Sequence, residues 1–120
     1  MDMKTFEAGE LRIEIKIAAG HVRLTWLGQS NERDPSSVLR PFFDEVARLL
    51  SKEREIELDF REFDYMNSST FRPILSFVQN ASKSSRSVNV RYDSQKNWQR
   101  LSFKTLQAVA ASLGNVRVES

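Results

Sequence analysis

Asn67-Ser68-Ser69-Thr70 is where the reactive chemistry of this chain concentrates. An amide and three adjacent hydroxyls follow an apolar run and precede an amphipathic one. Asn, Ser and Thr before a helix accept from its first unpaired N–H groups, so this tetrad is expected to cap a helix. One cap is enough, and three hydroxyls exceed that need. A serine at a helix start is also a good phosphorylation site, because amides and the positive helix end hold the phosphate. Arg72, one turn further on, can pair with it. The phosphate would add about −2 charge, repelling a partner with an apolar or acidic docking surface.

The other candidates are weaker. His21 is the only histidine and is expected on a surface strand, since a metal site or triad would need partners that the composition does not supply. Asp59 and Asp64 could bind a metal or act as an acid/base pair, but two acids in a chain that is 28% charged are expected by chance. The four glycines, Gly9, Gly20, Gly28 and Gly114, form no phosphate-binding loop. Without cysteine there are no disulfides, thiolate metal sites or cysteine nucleophiles. No cofactor is expected.

These residues must be positioned by a single domain over residues 1–120, a length that supports one core. The apolar runs are too short to span a membrane, and Met1 to Glu10 lack a signal-peptide core, so a soluble, cytoplasmic protein is expected. The net charge of +2 comes from interspersed signs, which argues against nucleic acid as a partner.

Strict alternation marks strands at Leu11–Ile17 and Val22–Trp26, joined by a turn at Ala19-Gly20, and further strands around Ile56–Phe60, Val88–Tyr92 and Val116–Val118. Gly28 to Pro35 and Arg61 to Asn67 read as loops. A first helix carries Val38, Leu39, Phe42, Phe43, Val46, Leu49 and Leu50, with Ser36 or Ser37 as cap and Pro41 in its first turn. A second carries Phe71, Ile74, Leu75, Val78 and Ala81. A third, about Lys96 to Leu113, is expected to turn Trp98, Leu101, Leu106, Val109, Ala110 and Leu113 inward.

The order β-β-α-β-α-β-α-β is an α/β fold with a mixed sheet of about five strands. Strands buried on both faces would read as continuous apolar runs, so helices should cover mainly one face. The other should display Arg12, Glu14, Lys16, Arg23, Glu57, Asp59, Asn89, Arg91 and Arg117 as a solvated surface with cross-strand ion pairs. Ser36-Ser37-Val38-Leu39-Arg40-Pro41 echoes Ser68-Ser69-Thr70-Phe71-Arg72-Pro73, which suggests shared helix-start chemistry.

The stretch from Ile56 to Thr70, Ile-Glu-Leu-Asp-Phe-Arg-Glu-Phe-Asp-Tyr-Met-Asn-Ser-Ser-Thr, resembles the signature of the STAS domain, the family of anti-sigma-factor antagonists. The order of elements fits from about residue 10 to 118. The resemblance implies a non-enzymatic, phosphorylation-controlled partner switch in bacterial transcription regulation. The partner would be a serine protein kinase, an anti-sigma factor or a related signalling protein, with a phosphatase resetting the switch. Ser69 matches the family's phospho-acceptor, and Ser68 is the runner-up. Asn67, Ser68, Ser69, Thr70 and Arg72 would form the partner-binding surface. Asn67 stands where the family usually has Asp, and Thr70 where it usually has Gly. A more distant resemblance is to small bacterial phosphoproteins of this fold that regulate a cyclic-di-GMP-making enzyme. Two alternatives stay open: a constitutive STAS-like scaffold or enzyme regulator without a switch, and a small enzyme using Asp59 and Asp64. Trp98, among Lys96, Gln99 and Arg100, is expected as a core residue, with an interface anchor as the other reading.

Overall fold

The computed structural model describes residues 2–49 and 55–120, so Leu50 lies outside the described residues. The chain opens with three strands, β1 (Asp2–Ala8), β2 (Leu11–Ala18) and β3 (His21–Ser30). Next come α1 (Pro35–Leu49), β4 (Glu55–Asp59), β5 (Phe63–Met66) and α2 (Ser68–Lys83). The chain closes with β6 (Ser87–Arg91), α3 (Asn97–Ala110) and β7 (Val116–Glu119).

All seven strands join one mixed sheet in the order β1-β2-β3-β4-β6-β7, with β5 paired to the end of β3. The first three are antiparallel, and β3, β4, β6 and β7 run parallel. The register aligns one apolar phase across the sheet: Ile13 opposite Trp26, Leu24 opposite Leu58, and Leu58 opposite Val90. All of these are buried.

Two strands exceed the sequence expectation. β1 is an edge strand whose only partly buried large apolar residue is Phe6, over Phe42 at 4.5 Å, so it carries no alternating signal. β5 has four residues, of which only Phe63 and Met66 are buried; the expected loop at Arg61 to Asn67 contains it. β3 also runs past Gly28 to Ser30, where a loop was expected. Gly28 has φ +75°, the register shifts between Gly28 and Gln29, and a Cβ at Gly28 would lie 2.0 Å from the Glu10 carbonyl oxygen. Only glycine lets the strand bend there and continue toward α2.

The helices line one face. Phe43 of α1 packs on Trp26 and stacks on Phe77 of α2, while Phe103 of α3 lies against Phe60 and Tyr92. The opposite face carries ion pairs, as the alternation predicts. Glu57 is clamped between Arg23 at 2.5 Å and Arg91 at 3.0 Å. The clamp leaves the Glu57 side chain only 7% exposed, more buried than a solvated face implies.

The helix starts depart from expectation. Pro35 takes the first position of α1, where a missing N–H costs nothing. Ser36 and Ser37 are therefore inside α1; Ser37 bonds back to the Asp34 carbonyl through its N–H and its hydroxyl. Pro41 and Pro73 lie beyond the first turn of their helices. In α3 the inward row is Gln99, Phe103, Leu106 and Ala110, whereas Leu101 is 66% exposed. Gln99 is fully buried because its amide meets Phe60 and Phe63 carbonyls at 2.6 and 2.9 Å and accepts from the Asp93 N–H at 2.7 Å. A polar residue thus heads the core row and shifts the phase away from Leu101.

Candidate functional site

β5 delivers the chain to Asn67, which has extended backbone geometry and caps α2. Its Oδ1 accepts from the Thr70 N–H at 3.0 Å and the Thr70 hydroxyl at 2.6 Å. Its Nδ2 donates to the Glu32 carbonyl at 2.8 Å, tying the β3–α1 connection to the start of α2. The Asn67 N–H bonds the Ser30 carbonyl at 2.9 Å, and the Ser30 and Thr70 hydroxyls meet at 2.7 Å. The last residue of β3, the loop after it and the first turn of α2 are therefore one hydrogen-bonded unit.

That unit divides the tetrad. Thr70 is fully buried, so its side chain faces the core and is not on the docking surface that the sequence assigned to it. Its hydroxyl replaces what a glycine would leave empty. Ser68 and Ser69 are exposed, and neither hydroxyl has a partner among the described residues. Arg72 is exposed one turn on, also without an ion pair among the described residues. The first turn of α2 contains no acidic residue. Ser68 and Ser69 thus present two free hydroxyls at the positive end of a sixteen-residue helix.

Exposed apolar residues occur on β5 and α3. Tyr65, two residues before Asn67, is 44% exposed, and its ring centroid is 6.4 Å from that of Trp98. Trp98 is half-buried against Phe63 and Phe103, so it is both a core residue and an edge of the surface. Leu101 follows one turn later on α3. Sequence reading missed Tyr65 because it assigned this stretch to a loop, and missed Leu101 because it placed it inward.

The carboxylate pair does not form a site. Both oxygens of Asp59 are taken by the Arg61 guanidinium, at 3.0 and 2.8 Å, and the Arg61 N–H adds a third bond at 3.1 Å. Burial pushes the Asp59 carboxyl up, but the hydrogen bonds and charge of Arg61, with the charge of Arg23, outweigh it and hold the group below its ordinary value. The same pairing raises Arg61. Asp64 is exposed on β5. No cluster of three potential metal ligands occurs among the described residues. His21 starts β3, paired with Ala18. No helix among the described residues is long and apolar enough to cross a membrane.

No protein-family model matches the sequence, and no curated protein is significantly similar to it. Solved structures do match. SiaC of Pseudomonas aeruginosa is 24% identical over 77% of this chain and 78% of its own, with a TM-score of 0.58. A structure of the diguanylate cyclase SiaD in complex with its activator SiaC, from the same organism, matches at 20% identity over 97% and 98%, TM-score 0.62. The anti-sigma-factor antagonist SpoIIAA in its unphosphorylated form matches at 11% identity over 90% and 88%, TM-score 0.62. At these identities the likeness concerns the fold. The chain has the STAS-like α/β fold that SiaC and the anti-sigma-factor antagonists share.

Proposed function

We propose that this protein is a non-enzymatic regulatory interaction domain, spanning residues 1–120, whose docking surface is the start of α2 and is switched by serine phosphorylation. One observation carries the reading. Asn67 alone caps α2, so the exposed hydroxyls of Ser68 and Ser69 are surplus to the fold. Ser69 is the acceptor and Ser68 the runner-up. Asn67 and Thr70 hold the turn, while Ser68, Ser69 and Arg72 meet the partner.

The partner is a serine kinase, an anti-sigma factor or a related signalling protein in the bacterial cytoplasm, and a phosphatase resets the switch. The fold likeness to SpoIIAA supports this class. Modification places a dianion on the exposed first turn of α2, which repels an apolar or acidic partner. A second reading is favoured by the near-complete match to the SiaD–SiaC structure. In it the protein activates a cyclic-di-GMP-making enzyme, with or without the phosphate.

The test is to express the chain in its host, resolve phosphorylated from unmodified protein, and repeat with Ser69→Ala, Ser68→Ala and the double variant. The switch requires a phosphorylated species that one of the single variants removes. Its absence under all growth conditions would leave the constitutive regulator.

A further inference from the structure

We propose that the groove between α1 and α2 is a receptor for a phosphate-bearing ligand, with Arg40 and Arg72 as its two prongs. The repeated Ser-Ser-x-x-Arg-Pro segment has a spatial consequence that the sequence does not reveal. The two helices pack side by side, and the arginine of each copy lines the same groove of about 640 Å³. That volume is typical of small-molecule sites.

The chemistry of the walls favours an anion. Arg86 also lines the groove, but the two prongs are Arg40 and Arg72, both exposed and neither in an ion pair among the described residues. Ser36, Ser76 and Asn80 add neutral donors. Asp44 is the one carboxylate on the wall, and it pairs with neither arginine among the described residues. Phe43 and Phe77, stacked at 4.5 Å, form part of the floor. Guanidinium forks bind phosphate oxygens in pairs, and two forks from different helices select a group with several oxygens.

The phosphate has two sources: a free phosphorylated small molecule, or a phosphoserine in the first turn of α2, where Ser68 precedes Arg72 by four residues. The inference does not depend on the phospho-switch, because the groove is charged in the unmodified chain.

The experiment is calorimetric titration of the full unmodified chain with pyrophosphate at low salt, for wild type, Arg40→Gln, Arg72→Gln and the charge-matched control Arg100→Gln on α3. Circular dichroism checks each fold. We expect saturable binding, weakened at least tenfold by either groove variant and unchanged in the control, which assigns the groove to a free ligand. A second arm installs phosphoserine at position 68 or 69 by genetic encoding and follows its titration by phosphorus NMR. A phosphoserine pKa below the ordinary value of about 6, restored by Arg40→Gln, supports the groove as its receiver. If pyrophosphate binding is absent or insensitive to both groove variants, and the phosphoserine titration ignores Arg40→Gln, the proposal is wrong.

Discussion

The hydroxyls of Ser30 and Thr70, forty residues apart in sequence, meet at 2.7 Å in the buried interior. This contact joins the end of β3 to the first turn of α2, and Asn67 completes it by accepting from Thr70. The exposed serines are thus presented by a rigid mount. Replacing Thr70 with Val keeps the volume but strands the Ser30 hydroxyl. It is expected to cost about 1–3 kcal/mol in urea unfolding. Adding Ser30→Ala should then cost less than the sum of the two single changes, since both act on one bond.

Ser68 and Ser69 should behave in the opposite way. Alanine at either is expected to leave stability within about 0.5 kcal/mol of wild type, because neither hydroxyl is bonded. Aspartate at either should stabilise by roughly 0.3–1 kcal/mol, since a negative charge suits the helix start. A loss above 1 kcal/mol on alanine substitution, read by chemical denaturation, would make these serines structural after all.

Gln99 of α3 is a buried polar keystone at the entry to β5. Its amide serves the Phe60 and Phe63 carbonyls and the Asp93 N–H, on both sides of β5's entry. Gln99→Met should cost about 1–3 kcal/mol, since the buried Asp93 N–H loses its partner, while the Phe60 carbonyl keeps the Phe63 N–H at 3.0 Å and the Phe63 carbonyl keeps Lys96 Nζ at 3.3 Å. Hydrogen exchange should quicken first at the Asp93 amide, which depends on Gln99 alone among the described contacts.

The pH response carries a defined sign. Arg61 holds Asp59 ionised more strongly in the folded state than in the unfolded chain. The stability this adds is complete above the ordinary carboxylate value, 3.8, and is lost as pH falls through the lower folded value. Asp59→Asn should therefore be less stable than wild type at neutral pH, with the gap closing below about pH 4. A gap that stays constant down to pH 2 would show that the Asp59–Arg61 pair contributes no protonation-linked stability.

Much of this architecture is legible in the sequence because one face of the sheet is bare. Period-two alternation at Leu11–Ile17, Val22–Trp26 and Ile56–Leu58 places the strands, and their polar phase becomes the Arg23–Glu57–Arg91 ladder. What escaped has local causes. β1 has no buried row, and β5 is too short to alternate. Gly28 hid the continuation of β3, because a glycine in a polar stretch reads as a loop until its close approach to Glu10 is seen. Leu101 reads as inward in sequence because Gln99 does not read as a core residue, and a buried amide is identified only by the carbonyls it meets. At the site, the Asn67 cap follows from residue type, whereas the burial of Thr70 depends on Ser30, a contact across forty residues with no local trace.

Under the proposed switch, the free hydroxyls at the start of α2 control partner binding. The most direct test uses tagged wild type, Ser69→Ala and Ser69→Glu, with the matching Ser68 pair, as baits in host lysate. Mass spectrometry identifies the prey and maps phosphate on the wild-type bait. The expected result is a signalling protein that co-purifies with the alanine baits and is lost from one of the glutamate baits, with phosphate at that same serine. A partner retained equally by every bait, with no phosphate on either serine, would contradict the switch and leave a constitutive regulator of the same fold.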